Sequence, residues 1–351
     1  MPGNPQALRP PSNVLIVMLS ALGDAVHVLP VVTALKRSWP ETRITWVIQP
    51  IPYQLVRNHD AVDEFIVFSR SRGANAVQSY RDLGAQFRGR HFDLALNLQV
   101  YMKAGLITAL APAEIKLGFD RRRARDLNWL FTSHRIPARE TAHVQDQYFE
   151  FLEYLGIDPE PVQWGLEITA QERAQQRAFF TPLGRCCAIA VGTSKPEKNW
   201  APEHYARVID ALETDFGLRC VLVGGPAAIE RETAERIASL ARIKPINALG
   251  DNVRQLLYLL AGSSLVISPD TGPLHIARAL DRPVIGLYGY TNPKRYGPYR
   301  KYTELIVDGY ARHAGEEYPL NAEYRSEGMS RITVQAVLEK AKLAERLYLR
   351  S

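Results

Sequence analysis

"SLVISPDTGPLHIARALDRPVIGLYG" (residues 264–289) reads as one complete strand–helix–strand unit. Its opening apolar run is stopped by Pro269, a helical pattern follows, and "PVIGLYG" closes it with a second apolar run. Two continuous apolar strands joined through a helix imply parallel pairing in a sheet covered on both faces. Asp270, Thr271 and Gly272 stand between strand and helix, with His275 one turn in. Capping explains an Asp or a Thr there, but it requires neither the glycine nor the histidine. The turn is therefore a candidate ligand site. Thr271, His275 and the first-turn amides suit a diphosphate. Asp270 is expected to face sugar or ribose hydroxyls, because a carboxylate beside a diphosphate is repelled.

The same grammar runs outward in both directions. "CCAIAVG" (residues 186–192) and "LRCVLVGG" (residues 218–225) are strands, each followed by a helical pattern. The first half repeats it with "NVLIVML" (residues 13–19), "RITWVIQ" (residues 43–49), residues 64–68 and "FDLALNL" (residues 92–98). Strand–helix alternation in two halves predicts an α/β chain with two doubly wound domains. The change of pattern between residues 157 and 184, with its prolines and no sustained periodicity, is read as the linker. Domain limits follow at residues 1–172 and 173–330. Residues 331–351 form an amphipathic helix that caps the second domain or packs back on the first.

Composition narrows the class. The chain has 351 residues, 46% hydrophobic and 23% charged, which excludes overall disorder or coiled coil. Its apolar runs are far shorter than the roughly 20 residues needed to span a bilayer. The proline-rich start does not resemble a signal peptide, so a cytoplasmic location is expected. Three cysteines, Cys186, Cys187 and Cys220, all lie in apolar strands and read as core residues of a reducing compartment. A formal charge of +6 favours anionic ligands slightly without predicting a nucleic-acid partner.

Three further turns carry chemistry. "SALGDAVHVLPVV" (residues 20–32) places Asp24 at a helix start, as a cap or as a carboxylate base, with His27 three residues on. "VGTSKPEKNWAPEHY" (residues 191–205) offers Thr193, Ser194, Lys195 and Lys198 before a helix, a set suited to phosphate. Trp200 reads as an anchor for that loop. "VGGPAAIERETAERI" (residues 223–237) provides two glycines, and Glu230 and Glu232 read either as acceptors of bonds from ribose or sugar hydroxyls or as ordinary helix surface. There is no GxGxxG or GxxxxGK[ST], which argues against dinucleotide and P-loop chemistry. Neither HExxH nor paired CxxC occurs, so no metal is expected. "GFDRRRARDLNW" (residues 118–129) carries Arg121, Arg122, Arg123 and Arg125, with Lys103 upstream. These arginines cannot all face one way on a regular helix. They read as a solvated basic loop, or as a seat for an anionic acceptor or an anionic membrane surface.

Taken together, the first-turn S-x-x-G-D, the "TSKPEKNW" segment and the D-T-G-x-x-H segment resemble the ADP-heptose lipopolysaccharide heptosyltransferases of glycosyltransferase family 9. The likeness extends over roughly residues 13–297. It implies the GT-B architecture, two facing Rossmann-like domains with a cleft between them. It also implies inverting transfer of L-glycero-D-manno-heptose from ADP-heptose to a lipopolysaccharide inner-core hydroxyl, without a catalytic metal or other cofactor. Asp24 then resembles the general base. Thr193, Ser194, Lys198, Glu230 or Glu232, Asp270, Thr271, Gly272 and His275 fall to the donor side. His27, Lys103, Arg121, Arg122, Arg123 and Arg125 fall to an anionic lipopolysaccharide-core acceptor, with peripheral contact at the cytoplasmic face of the inner membrane. "NLQVYMKAG" (residues 97–105) departs from the family's "GLxKS"-like stretch, so an identical acceptor pocket is not implied. Competing readings are a GT-B transferase for another nucleotide sugar, a sugar-nucleotide epimerase, and a noncatalytic nucleotide-sugar-binding protein.

Overall fold

A computed structural model describes residues 9–69, 76–193 and 195–349. The chain divides into two compact units. One holds residues up to Glu140 together with Gln145–Glu167, and the other holds Thr141–Val144 and everything from Ile168 onward.

The first unit contains β1 (Asn13–Val17), α1 (Leu22–Ser38), β2 (Arg43–Ile48), α2 (Pro50–Val56), β3 (Glu64–Val67), α3 (Ala76–Gln86), β4 (Phe92–Asn97), α4 (Met102–Leu110), β5 (Ala113–Gly118), β6 (His134–Arg135) and α5 (Val144–Tyr154). Its sheet is parallel in the order β3-β2-β1-β4-β5-β6. Val14–Val17 of β1 are fully buried between β2 and β4, which is why this strand reads as an unbroken apolar run. Each such valine or leucine contributes roughly 1.5–3 kcal/mol by leaving water. Leu15, Val17, Phe92 and Ala95 of the sheet pack with Leu83 and Phe87 of the α3 region and with Ala104 and Ile107 of α4. α1 begins with Asp24 reaching back to the Ala21 amide and ends with Lys36 and Arg37 in its last turn, where cations suit the helix dipole. Pro30 lies inside α1 and supplies no N–H, yet the helix runs on to Ser38.

The second unit contains α6 (Ala170–Phe180), β7 (Cys186–Ala190), α7 (Pro202–Asp215), β8 (Arg219–Val223), α8 (Ala228–Leu240), β9 (Ile246–Asn247), α9 (Val253–Gly262), β10 (Leu265–Pro269), α10 (Gly272–Ala279), β11 (Val284–Tyr288), α11 (Pro293–Tyr296), β12 (Val307–Asp308) and α12 (Val334–Ala344). Its parallel sheet runs β12-β11-β10-β7-β8-β9. Counted from the first strand of each unit, both sheets have the order 3-2-1-4-5-6, the doubly wound Rossmann arrangement. Strand order reverses between β1 and β4 in the first sheet and between β7 and β10 in the second. Ligands of such sheets bind at the carboxyl ends of those strands.

Helix α6 corrects the expectation of an irregular linker between residues 157 and 184. Thr169 Oγ1 accepts from the Glu172 amide at 3.2 Å, and Glu172 Oε2 accepts from the Thr169 amide at 2.8 Å. That capping box starts the helix. Glu172 is then clasped by the buried Arg254, whose Nε donates at 2.6 Å. Helix α12 packs on α7 and on β11 of the second unit. Cys186, Cys187 and Cys220 are buried free thiols, and burial pushes Cys186 up to about 11. Trp200 anchors its loop through Nε1, which donates to the Ile332 carbonyl at 3.0 Å.

Candidate active site

The second unit's switch point is built from the loops that follow β7 and β10. After β7 the chain closes a short turn. The Thr193 amide donates to Asn199 Oδ1 at 2.9 Å, and the Thr193 hydroxyl donates to the Lys195 carbonyl at 2.6 Å. A 3-10 turn over Pro196–Lys198 then carries Lys198 toward β10. Its Nζ donates to Asp270 Oδ2 at 2.7 Å and to the Asp270 carbonyl at 3.0 Å. Lys198 thus joins the two loops that meet where strand order reverses.

Asp270 is the centre of this cluster and is only 7% exposed. Besides Lys198, its carboxylate accepts from the Thr291 hydroxyl at 2.7 Å and from His275 Nε2 at 3.3 Å. Burial alone would raise its pKa. The His275 hydrogen bond and the charges of Lys198 and His275 outweigh that and hold it well below the usual carboxylate range. Thr271 is the N-cap residue of α10, its side chain makes no capping bond, and Gly272 opens the helix. His275 is buried in the first turn, so ring and carboxylate fix each other. The sequence reading turned Asp270 toward a sugar. The structure instead directs both carboxylate oxygens to side chains of the protein, and Thr291 is a partner the sequence did not suggest.

Glu230 and Glu232, equivalent candidates in the sequence, are separated by their surroundings. Glu230 lies over the ends of β7 and β8, where Oε1 accepts from the Gly225 amide at 2.8 Å. A Cβ at Gly192, Gly224 or Gly225 would come within 2.6, 2.8 and 2.8 Å of the Glu230 side chain. Three glycines therefore make the room that lets this carboxylate lie on the strand ends. Glu232 is exposed on α8. Lys195 places its ammonium 4.9 Å from the Tyr324 ring, which stacks on Tyr290 at 4.9 Å and 13°. Ser194 lies outside the described residues.

A comparable arrangement occupies the first unit's switch point. The Ser20–Ala21 peptide is cis. Asp24, the third residue of α1, is half-buried, and its Oδ2 accepts from the Ala21 amide at 2.8 Å. Lys103 at the start of α4 donates to Ser20 Oγ at 2.8 Å, and Gln99 Nε2 donates to the Ser20 carbonyl. The loops after β1 and β4 are tied together by these bonds. Lys103 also lines a recess of about 400 Å³ with Tyr80, Tyr101, Met102, Leu106 and Asp126.

Not all of the expected acceptor residues share that surface. His27 is buried, its Nδ1 bonded to Gln145 Oε1 at 2.9 Å and its ring stacked near Tyr148 at 6.3 Å, so it joins α1 to α5. Arg123 is withdrawn into a bridge, with Nε on Asp120 Oδ2 at 2.5 Å and a guanidinium nitrogen on Glu150 at 2.8 Å. Arg121, Arg122 and Arg125 are exposed. Residues 121–123 form a turn and not a helix, which frees the three from one helical face. Among the described residues, the grouping with metal-ligand spacing is His91, Asp93 and Glu114, at the opposite end of β4 from Lys103 and Ser20.

A family model of glycosyltransferase family 9 (heptosyltransferase) matches residues 80–318. The chain is 32% identical over 309 residues to the lipopolysaccharide core heptosyltransferase OpsX of Haemophilus influenzae, covering 88% of this chain and 87% of that one. Among solved structures it is similar to a glycosyl transferase family 9 protein from Veillonella parvula, with a TM-score of 0.80 and 24% identity over 95% of this chain and 97% of that one. It is also similar to E. coli heptosyltransferase WaaC with ADP, with a TM-score of 0.74 and 26% identity over 95% of this chain and 99% of that one. The two Rossmann-like units are those of the GT-B architecture, and the enzyme class is glycosyltransferase. With two sheets of the same strand order and this likeness over most of its length, the chain belongs to glycosyltransferase family 9.

Proposed function

We infer that this glycosyltransferase moves L-glycero-D-manno-heptose from ADP-heptose to a hydroxyl of a lipopolysaccharide inner-core acceptor, with inversion. The observation that carries the reading is Lys198, fixed across the second switch point at 2.7 Å from Asp270 Oδ2. A lysine held there, with the α10 amides beside it, supplies counter-charge for a diphosphate at the strand ends. Likeness to OpsX, a lipopolysaccharide core heptosyltransferase, and to WaaC, a heptosyltransferase solved with ADP, supports the choice of donor and acceptor.

In this reading the acceptor oxygen attacks the anomeric carbon on the face opposite the diphosphate. The bond from that carbon to the phosphate oxygen breaks, and ADP departs with the bonding pair. Asp24 takes the acceptor's proton, which requires an approach of about 2.6–3.2 Å in the reactive complex. Lys198, Thr271 and the first-turn amides of α10 meet the negative charge as it grows on the leaving group. Glu230 accepts from a donor hydroxyl. Asp270 acts one step back by holding Lys198 and His275. Lys103 and the exposed Arg121, Arg122 and Arg125 receive an anionic acceptor. The reaction is assigned to the cytoplasmic face of the inner membrane.

Mass spectrometry of truncated lipopolysaccharide cores, incubated with purified protein and a panel of nucleotide sugars, tests the assignment. A heptose increment on one core with ADP-heptose is expected. An isomerised donor with no extended core indicates an epimerase, and an increment from another donor replaces the sugar.

A further inference from the structure

The entry ends of β4 and β5 bring three metal-ligand side chains to one face of the first unit's sheet. His91 stands just before β4 and Asp93 is its second residue, and residues two apart on an extended chain share a face. The register that pairs Phe92 with Ala113 and Leu94 with Ile115 sets Asp93 beside Glu114 of β5. His91 Nε2 lies 3.6 Å from Asp93 Oδ1 and 3.2 Å from Glu114 Oε1. The three ligand atoms all fall within 4.8 Å of one another. The second Asp93 oxygen, Oδ2, accepts from the Asn13 amide at 2.8 Å, at the start of β1. That bond fixes the carboxylate and leaves Oδ1 on the histidine side.

Such a cluster calls for a cation at its centre. Two carboxylates this close repel one another, and among the described residues no lysine or arginine lies within ion-pair distance of either. A neutral imidazole turns a ring-nitrogen lone pair to a metal, so a divalent ion takes that nitrogen and both carboxylate oxygens together. Zinc binds nitrogen and oxygen at about 2.0–2.2 Å, which sets two ligands of a tetrahedral ion about 3.4 Å apart. The observed 3.2 and 3.6 Å bracket that edge. One imidazole and two carboxylates suit zinc, whereas magnesium and calcium prefer oxygen alone. His91 and Glu114 are 59% and 65% exposed, so water can complete the coordination. A protonated imidazole is the competing cation, and it would hold the same two carboxylates without any metal.

We propose that His91, Asp93 and Glu114 form a surface zinc site that ties the start of β4 to the start of β5. The site stands at the end of β4 away from Lys103 and Ser20, so its test needs neither donor nor acceptor. The full chain, stripped with a chelator and dialysed, is titrated with zinc chloride by calorimetry and unfolded by heat with and without zinc. One zinc per chain is expected, with a raised melting temperature, and magnesium in about 1,000-fold excess should not displace it. Losing a mere supporting partner of a ligand costs about 10- to 100-fold in metal affinity. His91→Ala should therefore weaken zinc at least about 100-fold and Glu114→Gln at least about 10-fold. Both side chains are exposed, so both variants should keep the metal-free melting temperature of wild type. X-ray absorption at the zinc edge should show nitrogen and oxygen neighbours. Sulfur neighbours would move the ion to a cysteine and overturn the proposal. Zinc that binds both variants as it binds wild type, or that magnesium displaces, overturns it too. A wild type that takes up no zinc leaves the imidazolium bridge as the account and sinks the metal site.

Discussion

Asp24 and Asp270 each stand where strand order reverses in a 3-2-1-4-5-6 sheet, and their surroundings differ. Asp24 is half-buried at the start of α1, with the Ala21 amide as partner to Oδ2. Asp270 is buried, and its two oxygens take bonds from Lys198, Thr291 and His275. A half-buried carboxylate keeps the access to an approaching hydroxyl that a proton acceptor needs. One surrounded by three side-chain donors is an anchor, held ionised and directed at the protein. Under the proposed function, the same residue type, after the first strand of one sheet and the fourth strand of the other, is equipped for different tasks by its environment.

Breaking the anchor has the largest expected effect on the fold. Asp270→Ala takes the carboxylate away from the Lys198 ammonium and the buried His275 ring, and removing one member of such a pair costs about 3 kcal/mol. Thermal unfolding should show that loss, and calorimetry should show ADP binding weakened with it. Lys198→Ala removes the counter-charge while leaving Asp270 with Thr291 and His275. Donor affinity should fall by about 10- to 100-fold, the range for a charge-assisted hydrogen bond of about 1.5–3 kcal/mol. Glu230→Gln should cost about 5- to 10-fold in donor affinity, while Glu232→Gln, on the exposed side of α8, should leave it unchanged. Equal losses in the two variants would return the assignment to where the sequence left it.

The pH dependence has a defined sign. Asp270 has a folded pKa below its unfolded value of about 3.9, so its contribution to stability is complete above that pH. It fades as the pH falls below 4 toward the folded value. Denaturant titrations of wild type should therefore lose stability more steeply in that acid range than those of Asp270→Asn, where the titrating group is absent. Parallel curves would remove Asp270 as a charged anchor.

Much of this was legible from residue order. The runs at residues 13–19, 92–98, 186–192 and 264–269 marked all four strands that frame the switch points, because a strand buried on both faces carries little polar alternation to hide it. Strand-end turns carrying Asp24, Lys198 and Asp270 followed directly. Helix α6 was missed because its prolines lie upstream and its surface is polar, although Thr169-x-x-Glu172 is a capping signature. Arg123 read as a surface cation because its partner Glu150 lies 27 residues away. The Lys198–Asp270 bond spans 72 residues, and only the fold brings the two together. Glu230 is distinguished from Glu232 by room at Gly192, Gly224 and Gly225, a relation across two strands that no local pattern contains.

The division of labour between the two aspartates is tested most directly with Asp24→Asn, by measuring ADP-heptose affinity and single-turnover transfer on the same preparation. The account predicts wild-type affinity with transfer slowed by about 10²- to 10⁴-fold, the usual worth of a positioned base. Transfer at the wild-type rate, or a loss confined to donor affinity, would contradict it.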